Sequence, residues 1–224
     1  MRAGILILYI FCLFSPLISK AQNNDAALWT NVYLEKKLTK RYNVHLNLLS
    51  RFTENYSQLG LAYADVGFTY KLKKYINVNM DYVLLQSRRL DGTYKTRHQY
   101  YINMVFKKDL GRWRLSYRIM FQNQYTDLLY SEKGRIPYYI FRNKFTLRYT
   151  LNKYLTPYIA QEFYYHFKDG SNNGFYRSRS FVGVFYSLTK RSTLELFYAF
   201  QKGFNVYNPQ NVFALGIGFS HLFK

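Results

Sequence analysis

Few side chains in this sequence can do chemistry, and most of those are charged. A short turn near residue 73 sets Asp65 across from Asp81, so two carboxylates face one another. Like charges placed opposite each other repel, and either a shared proton or a bound cation relieves them. Such a pair offers acid/base chemistry or a cation site; the plainer reading is that Arg114 and Arg118 reach across to neutralise it. A second turn, near residue 152, sets Arg142 across from Glu162, and the loop after Lys168 brings Arg179 to a diagonal position beside them. Glu162 then sits between two arginines, an arrangement that ordinarily satisfies buried charge. Of the four histidines, His45 and His166 alternate onto the polar face, whereas His98 and His221 fall on the apolar face. His166, with Ser171, Ser178 and Ser180 in the same region, is the place to look for a serine–histidine arrangement acting on lipid. Spacing alone does not supply the hydrogen-bond geometry that a triad needs.

The elements that hold these residues are written in alternation. Tyr42, Val44, Leu46 and Leu48 oppose Asn43, His45 and Asn47; Ala62, Ala64, Val66, Phe68 and Tyr70 oppose Asp65, Gly67 and Thr69. Ile76, Val78, Met80, Tyr82 and Leu84 oppose Asn77, Asn79 and Asp81. Trp113, Leu115, Tyr117, Ile119 and Phe121 oppose Arg114, Ser116, Arg118, Gln122 and Gln124, and Phe145, Leu147 and Tyr149 oppose Arg142, Lys144, Thr146 and Arg148. A period of two is the signature of strands with one apolar and one polar face. Further segments run through residues 28–36, 100–106, 155–167, 182–188, 194–200 and 213–223. They are about 7 to 13 residues long, around the length with which a tilted strand crosses hydrocarbon.

Short turns recur at residues 38–41, 72–75, 110–112, 151–154 and 188–191, and longer polar loops at 53–58, 88–95, 125–137, 168–174 and 202–210. Short turns on one rim and long loops on the other describe an antiparallel up-and-down transmembrane β-barrel, with the short turns periplasmic. The segments number eleven, where an even number is expected; the ten from Tyr42 to Phe223 close by themselves. Residues 28–36 are then an extra strand starting outside, an inner segment or half of a pair, and the barrel has 10 to 12 strands.

Export fits this architecture. Met1 and Arg2, an apolar run from Ile5 to Phe14, Pro16 and the Ser19-Lys20-Ala21 ending read as a signal peptide cleaved after Ala21, leaving residues 22–224 as the barrel, with 22–41 a possible atypical first strand. Cys12, the single cysteine, leaves with it, so disulfides and cysteine-bound metals are excluded. With no phosphate-cradling glycine loop and no metal-ligand spacing, neither a cofactor nor a metal is expected. The chain carries 32 Lys and Arg against 12 Asp and Glu, with 25 Tyr and 19 Phe. Basic and aromatic residues together suit nucleic acid, but export argues against that partner.

Leu28-Trp29-Thr30-Asn31 after the signal, the repeated Leu-x-Lys turns, the basic inward strands and the closing Phe219-Ser220-His221-Leu222-Phe223 resemble an uncharacterised Gram-negative outer-membrane family, domain of unknown function 2490. The resemblance covers the whole mature chain and implies a barrel with no established activity. One departure concerns the assembly machinery, which reads a terminal aromatic residue: here Phe223 is followed by Lys224.

Inward Arg114, Arg118, Arg142, Lys144, Arg148, Arg177 and Arg179 outnumber Asp65, Asp81, Glu162 and Glu195. An open lumen of this kind favours anions, but a barrel this small is narrow and is expected to conduct little or nothing. Lysines and arginines of the short turns suit a headgroup boundary, and Arg88, Arg89, Lys95 and Arg97 suit lipopolysaccharide phosphates or plain solvation. The expected role is structural or transport-related in the outer membrane, among lipid, lipopolysaccharide and the barrel-assembly machinery, with oligomeric state open. The alternatives are a lipid-modifying barrel enzyme and, more weakly, a soluble secreted β-protein that binds acidic polymers.

Overall fold

The structure is a computed structural model and describes residues 23–89, 91–125, 138–167, 173–206 and 209–223. The proposed signal peptide with Cys12, Ser171, Lys224 and parts of the longer loops lie outside the described residues. Eleven strands follow in chain order: β1 (Asn23–Lys37), β2 (Tyr42–Thr53), β3 (Gln58–Lys73), β4 (Ile76–Arg88), β5 (Tyr94–Leu110), β6 (Trp113–Tyr125), β7 (Tyr138–Tyr149), β8 (Leu155–Phe167), β9 (Gly174–Ser187), β10 (Ser192–Gly203) and β11 (Gln210–Phe223).

Each strand pairs with its sequence neighbours in antiparallel fashion, and the sheet closes where β1 lies parallel to β11. The barrel closes with eleven strands, within the expected 10 to 12, and the segment of residues 28–36 is a full extra strand that begins at Asn23. An odd strand number forces one parallel seam, because the first and last strands then run in the same direction. The seam is long, pairing Asn23 with Gln210 through to Lys36 with Phe223. It starts β1 on the long-loop rim, while the short turns and the end of β11 share the opposite rim. Closure leaves no strand edge unpaired, the condition a sheet must meet in hydrocarbon.

The alternation sorts side chains as the sequence predicts. Val66, Met80 and Ile159 point out and are 57%, 59% and 56% exposed. Leu48, Ile102, Phe121, Phe145, Val182, Leu196 and Leu215 join them from other strands, a continuous apolar surface too large for a water-facing monomer. Stacked pairs such as Tyr42–Phe68 and Tyr154–Tyr186 mark the short-turn end of that surface. Pro157 is tolerated in β8 because it lies beyond the β7–β8 pairing, which ends at Arg148–Tyr158, and faces only Val184 of β9.

Inside, the space beside the seam is packed with apolar groups. Ala27, Trp29, Ala199, Val212 and Ala214 are buried together, with Phe181 and Phe197 against them. Gly216 makes room: a Cβ there would stand 2.0 Å from Cζ of Phe197, which lies directly across the β10–β11 pair. The rest of the interior holds the charged residues among buried apolar ones such as Val83, Leu85, Met120 and Ile140.

Candidate functional site

Glu162, on β8, is 1% exposed and accepts hydrogen bonds from three residues. Its Oε1 receives Nη2 of Arg118 at 2.6 Å and Nη2 and Nε of Arg142 at 2.8 and 3.0 Å, and its Oε2 receives the Tyr164 hydroxyl at 2.8 Å. Arg142 also donates from Nη1 to Gln122 at 3.2 Å. The expected pairing of Glu162 with Arg142 thus holds as a contact but not as a register. Lys144 stands directly across from Glu162 on β7, Arg142 faces Tyr164, and Arg179 is directly opposite Glu162 on β9 and not diagonal to it. Arg118 comes to Glu162 from β6, two strands away, rather than to the aspartates. A buried carboxylate is tolerable only with such charge-assisted partners.

Asp65 and Asp81 are 3% and 6% exposed, and they too are slipped by two residues from the expected register. Asp65 faces Val83, and Asp81 faces Gly67. The two remain diagonal neighbours on the lumen face. Their partners differ from those expected: His45 Nε2 lies 2.6 Å from Asp81 Oδ1, the Tyr101 hydroxyl donates to Asp65 Oδ2 at 2.5 Å, and Asn103 Nδ2 donates to Asp81 Oδ2 at 3.4 Å. Arg114 instead pairs with Asp109 at 2.5 Å near the short-turn rim. His45 and Asp81 are on β2 and β4 and meet above Gly67 of β3, which faces both. A Cβ on Gly67 would stand 1.9 Å from Asp81 Oδ1 and 2.4 Å from His45 Nε2. The pair exists because position 67 has no side chain; a glycine at an inward strand position was the readable signal, and sequence reasoning passed over it.

The remaining charges of the proposed network are spread along the wall. Glu195 accepts from the Tyr158 hydroxyl at 2.5 Å, Arg148 stacks on Phe185 at 4.5 Å, and Lys144 lies 4.3 Å over Phe181. The interior is therefore several local arrangements rather than one continuous network.

One of them is a chamber. A cavity of about 840 Å³ is lined by Arg51, Arg97, Arg118, Arg142, Arg177 and Arg179, with Asp65 as its lining carboxylate. Arg118 and Arg142 are engaged by Glu162; the other four have no carboxylate partner among the described residues. Aromatic faces hold three of these four, Arg51, Arg177 and Arg179, and Arg179 also donates from Nε to Gln201 at 2.7 Å. Arg51 and Arg179 lie 4.3 and 5.1 Å from the Trp29 ring, and Arg142, Arg177 and Arg179 lie 4.6, 5.6 and 4.9 Å from the Tyr164 ring. Stacking fixes a guanidinium plane while leaving its edge N–H groups free to bind an anion. Arg51 was not among the sequence candidates, although its parity with His45 and Asn47 places it inward.

The four residues proposed for lipid phosphate do not form one patch. Arg88 pairs with Glu54 at 2.9 Å and Arg97 lines the chamber, which leaves Arg89 and Lys95 at the rim. Between them, Asp91 is held below the usual carboxylate range by hydrogen bonds from the Thr93 side chain and backbone. The histidines divide as expected, with His98 bonded to the Tyr82 hydroxyl at 2.7 Å and His221 to Ser192 Oγ at 2.9 Å. His166 packs against Tyr176 at 5.6 Å. Arg179 of β9 faces the lumen, so Ser178 and Ser180 point to the other side of the sheet from inward His166, and Ser180 donates to Gln161 at 2.6 Å. They cannot form a triad with it.

The sequence profile of a family described as "Protein of unknown function (DUF2490)" matches residues 26–212. No curated protein matches the chain. Among solved structures the chain is similar to the NanC porin, at 12% identity and a TM-score of 0.49 over 79% of this chain and 86% of that one. It is also similar to the beta domain of the Bordetella autotransporter Brka, at 12% identity and 0.46 over 79% and 82%. A third is OmpT, an outer membrane protein of Vibrio cholerae, at 10% identity and 0.41 over 75% of this chain and 52% of that one.

Proposed function

Since the chain belongs to the DUF2490 family, whose members have no assigned function, we propose its role from its own interior: an integral outer-membrane barrel that holds small anions in a narrow, arginine-lined lumen. The observation that carries this is the set of four guanidiniums, Arg51, Arg97, Arg177 and Arg179, that share one cavity and have no carboxylate partner among the described residues. Uncompensated positive charge in a cavity screened from bulk water raises the local concentration of anions. Carboxylates and phosphates suit planar, forked donors best.

A transport-related role follows more readily than an open pore. Trp29, Phe181 and Phe197 fill the seam side of the interior, and Glu162 with its arginines ties β6, β7 and β8 together across part of the rest. We propose delivery by a signal peptide cleaved after Ala21, insertion by the barrel-assembly machinery, and contact of Arg89 and Lys95 with lipopolysaccharide phosphate.

The test uses purified protein in detergent micelles, titrated calorimetrically with citrate and with inorganic phosphate. Saturable binding is expected, weakened at least tenfold in an Arg51→Ala/Arg177→Ala variant that still folds. Absence of binding by the wild type, or equal binding by the variant, removes the proposal. In planar bilayers conductance is expected to be small or nil, and large anion-selective steps would contradict the narrow lumen.

A further inference from the structure

The second polar arrangement in the lumen calls for a positive partner of its own. Asp65 and Asp81 are buried, and neither has a lysine or arginine ion-pair partner among the described residues. The basic side chain bonded to them is His45, itself 7% exposed and bonded to Asp81; Asp65 also borders the arginines of the chamber, none of them within ion-pair distance among the described residues. Around them, acceptors outnumber donors. Asp65 Oδ1 and Asn103 Oδ1 are buried with no hydrogen-bond partner, on residues 3% and 5% exposed. The Asn103 amide is already anchored to Asp81 through Nδ2, so its bare oxygen sits beside the carboxylate. The His45 ring turns Nε2 to Asp81, so Nε2 is the nitrogen that can join the aspartates around one ion, giving up any proton it carries as the ion binds.

A surplus of buried lone pairs is what a cation satisfies and what a protein of fixed donors cannot. We propose that His45, Asp65 and Asp81 bind a divalent transition-metal ion, with the Asn103 carbonyl oxygen as a further ligand. One donor atom from each of the three lies within 4.8 Å of the others. Donors around an ion bonded at about 2.0–2.2 Å stand up to about 4 Å apart, so side-chain rotations of less than about an ångström complete the site. One imidazole with carboxylate and carbonyl oxygens selects zinc or its first-row neighbours over calcium or magnesium, which take oxygen alone. Entry is through the chamber, since Asp65 and Tyr101 form part of its wall. The site is otherwise separate from the arginines, and its occupancy does not require that the chamber bind anions.

Untagged full-length mature protein in detergent, stripped with a chelator and titrated with zinc chloride, tests this by calorimetry and by metal analysis after dialysis. One zinc per chain is expected. Asp65→Asn and Asp81→Asn should each weaken binding at least tenfold and the double variant should abolish it, whereas His98→Ala and His221→Ala, on the lipid side, should leave it unchanged. Should the aspartate variants not fold, the wild type itself decides: zinc raises its urea midpoint and equimolar magnesium does not. Failure of the wild type to take up stoichiometric zinc, retention of zinc by the double variant, loss of zinc in the lipid-side histidine variants, or displacement by equimolar calcium or magnesium would each overturn the assignment.

Discussion

Glu162→Gln is the most informative single change, because it removes one charge and leaves several unbalanced. Glu162 is 1% exposed and its Oε1 serves both Arg118 and Arg142, whose side chains are 28% and 18% exposed. Lys144 and Arg179 flank it directly across the two neighbouring strands. Removing one partner of a buried pair costs roughly 3–5 kcal/mol, mainly through the charge left behind. Water reaches both arginines in part, so the lower end applies, about 3 kcal/mol. In urea titration of the protein in lipid vesicles, followed by tryptophan fluorescence and heat-dependent gel mobility, a slope of roughly 2–3 kcal/mol per molar moves the midpoint down by about 1 M. Combining the change with Arg118→Gln should recover part of the loss, with a coupling of about 1–3 kcal/mol. A midpoint shift below about 0.3 M, or strict additivity in the double variant, would show that Glu162 does not hold these strands together.

Other changes probe other parts of the barrel. Gly67→Ala places a methyl group 1.9 Å from Asp81 Oδ1, so it should separate His45 from Asp81, cost about 1–3 kcal/mol as overpacking, and abolish zinc uptake in the dialysis assay. Trp29→Ala empties the seam-side packing and frees Arg51 and Arg179 from their stacking face; about 3–5 kcal/mol of stability should be lost in the same urea titration, and anion binding should weaken. Deleting residues 23–37 exposes the edges of β2 and β11, and no heat-modifiable monomer should form on refolding into vesicles; a folded ten-strand barrel would contradict the seam.

Why Asp65 and Asp81 were paired wrongly while their direction was read correctly has a simple cause. Alternation reports the face of a residue, and a register slip of two residues preserves every face while changing every partner. The β3–β4 pairing carries such a slip, and the irregularity between Lys71 and Lys73 beside its turn, a step of one residue, is likewise invisible to hydrophobic pattern. The same slip at the β7–β8 turn put Lys144 opposite Glu162, yet the length of Arg142 let it reach the carboxylate anyway, so that contact survived the error. Short Asp and His side chains have no such reach, and their meeting depends on Gly67.

The sequence by itself determined which side chains face outward and which face the lumen, because that choice is local: successive residues of an extended chain point in opposite directions. It determined likewise which rim carries short turns. Only the tertiary structure decided that β1 closes the barrel beside β11, more than 170 residues away, that Arg118 serves Glu162 and not the aspartates, and that His45 joins Asp81 across β3. Those contacts depend on strand number, stagger and curvature, which arise when the whole sheet closes and which no short stretch of the chain encodes.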